Sequence, residues 1–176
     1  SRLRQGCLEG ARYKPARSSI RMAIEMRKGP PSVTRVEGVS IRPFRRNADA
    51  EAVWALMNDT FQDHFRYVAK PFDEWKQERI GHPAFDSTLW HVAWQKKDIV
   101  GFQMASNFPD LGWISNIGVK RAARGRGIGT ALLVTSLNAF FERGQTTVHL
   151  GVDTQNASNA AKLYERVGMT LHQRWD

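Results

Sequence analysis

The stretch VKRAARGRGIGTALL, residues 119–133, places four basic side chains and three alternating glycines directly before an apolar run. Upstream, GWISNIGV (112–119) alternates like a strand. Downstream, Ile128, Leu132, Leu133, Leu137, Phe140 and Phe141 recur at helical spacing, and Gly144 supplies a C-terminal stop. A strand that runs through a glycine loop into an amphipathic helix presents the unpaired N–H groups of the first helical turn, with about half a positive charge, to whatever occupies the loop. Glycines there tolerate positive φ and let a ligand approach the main chain. Each N–H to a charged oxygen is worth about 1.5 to 3 kcal/mol net, so three or four hold a pyrophosphate without a metal. The phosphate-loop pattern ending in Gly-Lys-Ser/Thr is absent, and the third glycine falls one place too early for GxGxxG.

Moving outward from the loop, STLWHVAWQ (87–95) and IVGFQMAS (99–106) flank a Lys96-Lys97-Asp98 turn and continue into GWISNIGV. Three strand-like runs in succession predict an antiparallel meander. Before it, VSIRPF (39–44) reads as a strand. Asn47 or Asp49 can cap a helix carrying Val53, Trp54, Leu56 and Met57, and FDEWKQERI (72–80) forms a second helix ended by Gly81. After the long helix, TTVHLGVD (146–153) puts Val148, Leu150 and Val152 on one face. A helix from about Asn156 to Val167 then stops at Gly168, and a strand starts at Met169. Strands that come first in a run and later alternate with helices predict a mixed α/β domain.

The charge is unevenly placed. Of 26 Lys and Arg, 12 fall in residues 1–46 against three Asp and Glu, while residues 47–176 hold 14 of each sign. The +9 surplus therefore belongs to the leader, and a neutral body argues against a nucleic-acid binder. No run of 18 apolar residues is present and SRLRQG lacks the apolar core of a signal peptide, which predicts a soluble, cytoplasmic protein without membrane contact. The lone Cys7 can form neither an internal disulfide nor a thiolate metal site. Residues 17–26, RSSIRMAIEM, alternate Ile20, Met22, Ile24 and Met26 against Arg21, Ala23 and Glu25 like a half-buried strand, and KGPPSVTRVEG (28–38) reads as a linker. LEGARYKPARS (8–18) can be laid over YERVGMTLHQR (164–174), a faint internal repeat.

The pattern Arg124-x-x-Gly127-x-Gly129 between strand and helix, followed by NASNAAKLYERVGM (156–169), resembles the two signatures of the GNAT superfamily of N-acetyltransferases. The resemblance covers residues 39–176. Its VEGVSIRPF, LGVD and LYERVG segments are most similar to the second domain of tandem proteins of the mycothiol synthase type. It implies a GNAT acyl-CoA N-acyltransferase fold, with a mostly antiparallel sheet flanked by helices and strands splayed at the cofactor site. On this reading residues 36–176 form the domain. Residues 1–35 are the tail of a lost or truncated preceding GNAT domain, with its strand at about 17–26, plus a linker.

The same resemblance implies acetyl-CoA as co-substrate and no metal. Ile117, Gly118 and Val119 would pair with the pantetheine arm, and Arg124, Gly125, Arg126, Gly127, Ile128, Gly129 and Thr130 would take the pyrophosphate. Tyr164 would protonate the departing thiolate. Asn156, with Asn159 behind it, would contact the cofactor or cap the helix, although Asn156 stands eight residues before Tyr164 where seven is commoner. Attack on the thioester is direct, so no Ser/His/Asp or Cys/His triad is needed, and Cys7 can be a spectator. The amine must arrive neutral: an amine of pKa near 10.4 costs about 4.6 kcal/mol to deprotonate at pH 7, against about 1 kcal/mol for an α-amino group. Many relatives place a Glu on the strand before the loop, but WISNIGV offers only Ser115 and Asn116. A low-pKa amine, a water relay, or Asp63 and His64 in FQDHFRY are the alternatives. The implied acceptor is a small-molecule or peptide amine, with a preceding GNAT domain or a second copy as possible neighbours. The competing classes are an acyl-CoA-binding module without catalysis and a basic nucleic-acid binder.

Overall fold

The computed structural model describes residues 19–32, 35–64, 67–153 and 160–175. In chain order the elements are β1 (Ser19–Glu25), β2 (Ser40–Pro43), α1 (Ala50–Phe61), α2 (Phe72–Arg79), β3 (His91–Gln95), β4 (Asp98–Asn107), β5 (Gly112–Val119), α3 (Ile128–Phe141), β6 (Thr147–Asp153), α4 (Ala160–Arg166) and β7 (Thr170–Trp175). The strands form one sheet in the order β2-β3-β4-β5-β6-β1-β7. Neighbours are antiparallel except β5 and β6, which run parallel. This is the mixed, mostly antiparallel sheet that the sequence predicts.

The period-2 pattern of residues 19–26 has a direct consequence here. β1 lies between β6 and β7, pairing from Ser19 with Asp153 to Glu25 with Thr147 on one side, and with β7 on the other. Met22 and Met26 are buried in the main core, with Ile20 and Ile24 packed against it. The earliest described segment is thus an interior strand of the sheet. Residues 8–18, and with them half of the internal repeat, lie outside the described residues, as does Cys7.

Two layers of helix cover the sheet. On one face α3 packs over β3, β4 and β5 with α4 beside it, and Leu133, Leu137 and Phe140 share a core with Val148, Leu150 and Met22. On the other face α1 packs over β4 and β5 with α2 against it, and Val53, Met57 and Trp75 share a core with Phe102 and Met104. The helix spacing read in residues 128–141 is the reason: those positions are nearly all buried, and the chain turns where the Gly144 amide reaches the Phe141 carbonyl at 2.9 Å. Asp49 departs from its expected role. It precedes the first turn of α1 but makes no cap bond; its buried carboxylate accepts from the Arg42 guanidinium at 2.7 and 2.8 Å and from the Arg45 amide at 2.7 Å. A full ion pair outcompetes a single weakly charged amide for an oxygen taken out of water.

β5 and β6 pair only from Gly112 to Ile114 against Val148 to Leu150. At the same level the β4–β5 register slips, so that Met104 faces Asn116 and Ala105 faces Ile114, leaving Ser115 as the extra residue; its hydroxyl donates to the Met104 carbonyl at 3.1 Å. A bulge bends and twists its strand, and here it coincides with the parting of β5 from β6.

Candidate active site

Where β5 and β6 separate, a cleft of about 550 Å³ opens between the end of α1, the second half of β5, the glycine loop, the end of β6 and α4. The local sequence accounts for each wall. Gly118 stands where an added Cβ would lie 2.4 Å from the Phe102 ring and 2.9 Å from the Thr60 hydroxyl, so only glycine lets α1 approach the strand this closely. Ile117 and Val119 turn toward the apolar core under α3, which leaves the β5 main chain as the cleft edge.

The loop begins with a single 3-10 turn at Arg121–Ala123, and Gly125 and Gly127 take φ of +76° and +85°. The left-handed Gly127 immediately precedes α3, whose first i to i−4 bond is Ala131 N to Gly127 O at 2.9 Å. The amides of Ile128, Gly129 and Thr130 precede that bond, so the helix itself does not use them. With Gly129 only 3.1 Å from Leu163 as judged from an added Cβ, α4 is seated directly on this first turn. Donors and positive helix end face one space.

The structure brings together Ile117, Gly118 and Val119 with Arg124, Gly125, Gly127, Ile128, Gly129 and Thr130 around this cleft, and Tyr164 and His64 line it as well. Arg124 also donates from Nε to the Val119 carbonyl at 3.0 Å, joining the loop to the strand end. Arg126 and Asp63 are not among the lining residues. Arg126 reaches the other way, donating to Gln95 Oε1 at 3.1 Å and to the Glu37 carbonyl at 3.3 Å. Asp63, largely exposed, is paired with Arg121. Asn156 and Asn159 lie outside the described residues.

Tyr164 is half-buried on α4 against the core, and desolvation pushes its phenol up to about 12. At neutral pH it is a neutral hydroxyl able to donate a proton. Arg124, Lys162 and Arg166 add positive charge to the lining, and Asp153 is the single carboxylate among the described lining residues. Lys162, Arg166 and Asp153 were not singled out from sequence. Their signal was faint: LGVD marks the end of β6, but that this end faces a gap in the sheet depends on the splay. Among the described residues no group of three or more His, Cys, Asp or Glu converges to hold a metal.

The chain matches the model of the Acetyltransferase (GNAT) family over residues 50–169. It is 32% identical over 160 residues to a mycothiol acetyltransferase of Thermomonospora curvata, covering 87% of this chain and 53% of that protein. A mycothiol acetyltransferase of Thermobispora bispora is 32% identical over 167 residues, covering 91% and 55%. The chain spans about half the length of the curated relatives it matches. A solved GCN5-related N-acetyltransferase from Sphaerobacter thermophilus superposes with a TM-score of 0.86 at 30% identity, covering 99% of this chain and 54% of that one. Loop, splay, helix order and relatives agree, and the chain belongs to the GNAT family of acetyltransferases.

Proposed function

We propose that this protein transfers an acetyl group from acetyl-CoA to the primary amine of a small molecule, by direct attack and without a covalent enzyme intermediate. The observation that carries the reading is one cleft that combines an unused helix N-terminus, a parted pair of parallel strands and a protonated phenol. The donor set fits the co-substrate. First-turn amides, open space beside the left-handed Gly127, and Arg124, Lys162 and Arg166 suit a pyrophosphate. The freed edge of β5 from Asn116 to Val119 suits an amide-bearing arm that pairs like a strand. Tyr164, neutral up to high pH, donates to the sulfur as the thioester C–S bond breaks. We assign the protein to the cytoplasm on the same reading.

The names of the relatives make the amine precursor of mycothiol the first acceptor to try, followed by other small amines and peptide N-termini. The test is thiol release from acetyl-CoA across that panel, with CoA binding followed by calorimetry. Release with at least one amine supports the proposal. Binding without release to any amine favours a non-catalytic acyl-CoA module, and salt-steep affinity for DNA without CoA binding favours the nucleic-acid reading.

A further inference from the structure

The strand before the loop offers no carboxylate, and Asp63, the carboxylate picked from sequence, is not among the residues that line the cleft. A different carboxylate occupies the gap. Asp153 ends β6, the arm of the splay opposite β5, and lines the cleft. Its face follows from the ladder. Val148, Leu150 and Val152 point into the core under α3, so His149, Gly151 and Asp153 point to the opposite face. On β5 the same opposite face carries Asn116 and Gly118, whose cross-strand partners Met104 and Phe102 pack under α1. Asp153, Asn116 and the end of α1 with Phe61 and His64 therefore share one side of the slot. The glycine loop and α4 with Tyr164 form the other side.

We infer, resting on the acetyl-transfer reading, that Asp153 is the proton acceptor for the attacking amine and that acceptors enter over the Asn116–Gly151–Asp153 side. A carboxylate is a poor base toward a free ammonium, but a good one toward the far more acidic N–H of the tetrahedral adduct. The neutral amine nitrogen forms a bond to the thioester carbon, and one N–H proton passes from the positively charged adduct nitrogen to an Asp153 carboxylate oxygen. The C–S bond then breaks and the sulfur takes a proton from the Tyr164 hydroxyl. Asp153 gains one proton and Tyr164 loses one, so exchange with water restores both without any further reactant. The half-buried setting of Asp153 keeps it in contact with solvent for that reset.

The test compares Asp153→Asn, Asp153→Glu and His64→Gln in the full chain, using acetyl-CoA and whichever amine the wild type acetylates. We expect Asp153→Asn to lower kcat about 100-fold and to leave the calorimetric CoA affinity within twofold. We expect Asp153→Glu to recover part of the rate. An Asp153→Asn enzyme with near wild-type kcat overturns the inference, as does a loss confined to His64→Gln. So does an Asp153→Asn protein that loses CoA binding along with activity while Asp153→Glu recovers neither, since that marks a purely structural role. If the wild type itself acetylates no amine, the acetyl-transfer reading has failed instead, and the two failures are distinct.

Discussion

Gly127 shows how much one residue decides. Its φ of +85° sets the angle at which the loop enters α3, and a Cβ there would find only Val36, at 3.9 Å, so the demand is on backbone conformation and ligand approach rather than on internal packing. Gly127→Val should therefore weaken CoA binding at least 100-fold by calorimetry, the equivalent of losing about two charge-assisted bonds, without removing any charge. Tyr164 acts through its proton. With the phenol pushed up to about 12, the neutral donor persists across the usual assay range, and Tyr164→Phe should lower kcat about 100-fold while CoA affinity holds. The sign of the linkage also follows: because the folded phenol titrates above its ordinary value, its contribution to stability is complete below about pH 10 and falls as the pH rises toward about 12. Of the residues named from sequence, the glycines and Tyr164 meet at the cleft because motif and chain neighbourhood place them. Asp63 is not among the lining residues; it is paired with Arg121, 58 residues away, a partner that no local pattern names.

At the scale of elements, the join of β2 to α1 is fixed by the Arg42–Asp49 pair. Burial by itself would raise the Asp49 pKa, but the Arg42 hydrogen bonds, the Arg45 amide and the two nearby positive charges outweigh it and hold the carboxyl below its ordinary value. Removing one partner strands the other, so Asp49→Ala should cost about 3 kcal/mol in urea unfolding at pH 7. A group depressed in the folded state stabilises above its unfolded pKa of about 3.9 and ceases to do so as the pH falls through the folded value. The penalty of Asp49→Ala should accordingly shrink in acid. The helices themselves were readable: period 3.6 over residues 128–141 and 50–61, with a glycine or a turn at the ends, needs only local information. That Asp49 binds Arg42 instead of capping α1 was not readable, because the competing guanidinium comes from another element.

For the whole molecule, the decisive arrangement is β1 between β6 and β7. A chain beginning at Val36 would expose the paired edges of both neighbours and remove Met22 and Met26 from the core. We expect it to lose near-UV circular dichroism and to aggregate. Strand order rather than chain order should matter, because Ser19 pairs with Trp175 and the two strands can close as a hairpin. A permuted chain running from Val36 to Trp175, then through a short turn into Ser19–Arg27, should regain a cooperative melt and CoA binding. Retained structure in the truncated chain, or failure of the permuted one, would count against this account.

By itself the sequence determined the local periods, the strand–glycine loop–helix unit and the second signature around Tyr164. Those features depend on neighbours within a few residues, and together they resemble one family. Only the tertiary structure decided that residues 19–25 complete the sheet from its interior, that β5 and β6 part after Ile114 and Leu150, and that Asp153 lines the gap while Asp63 and Arg126 find partners outside its lining. These are consequences of register and of charges brought together from distant positions, where the energy of pairing is set by the assembled sheet and by no short stretch of chain.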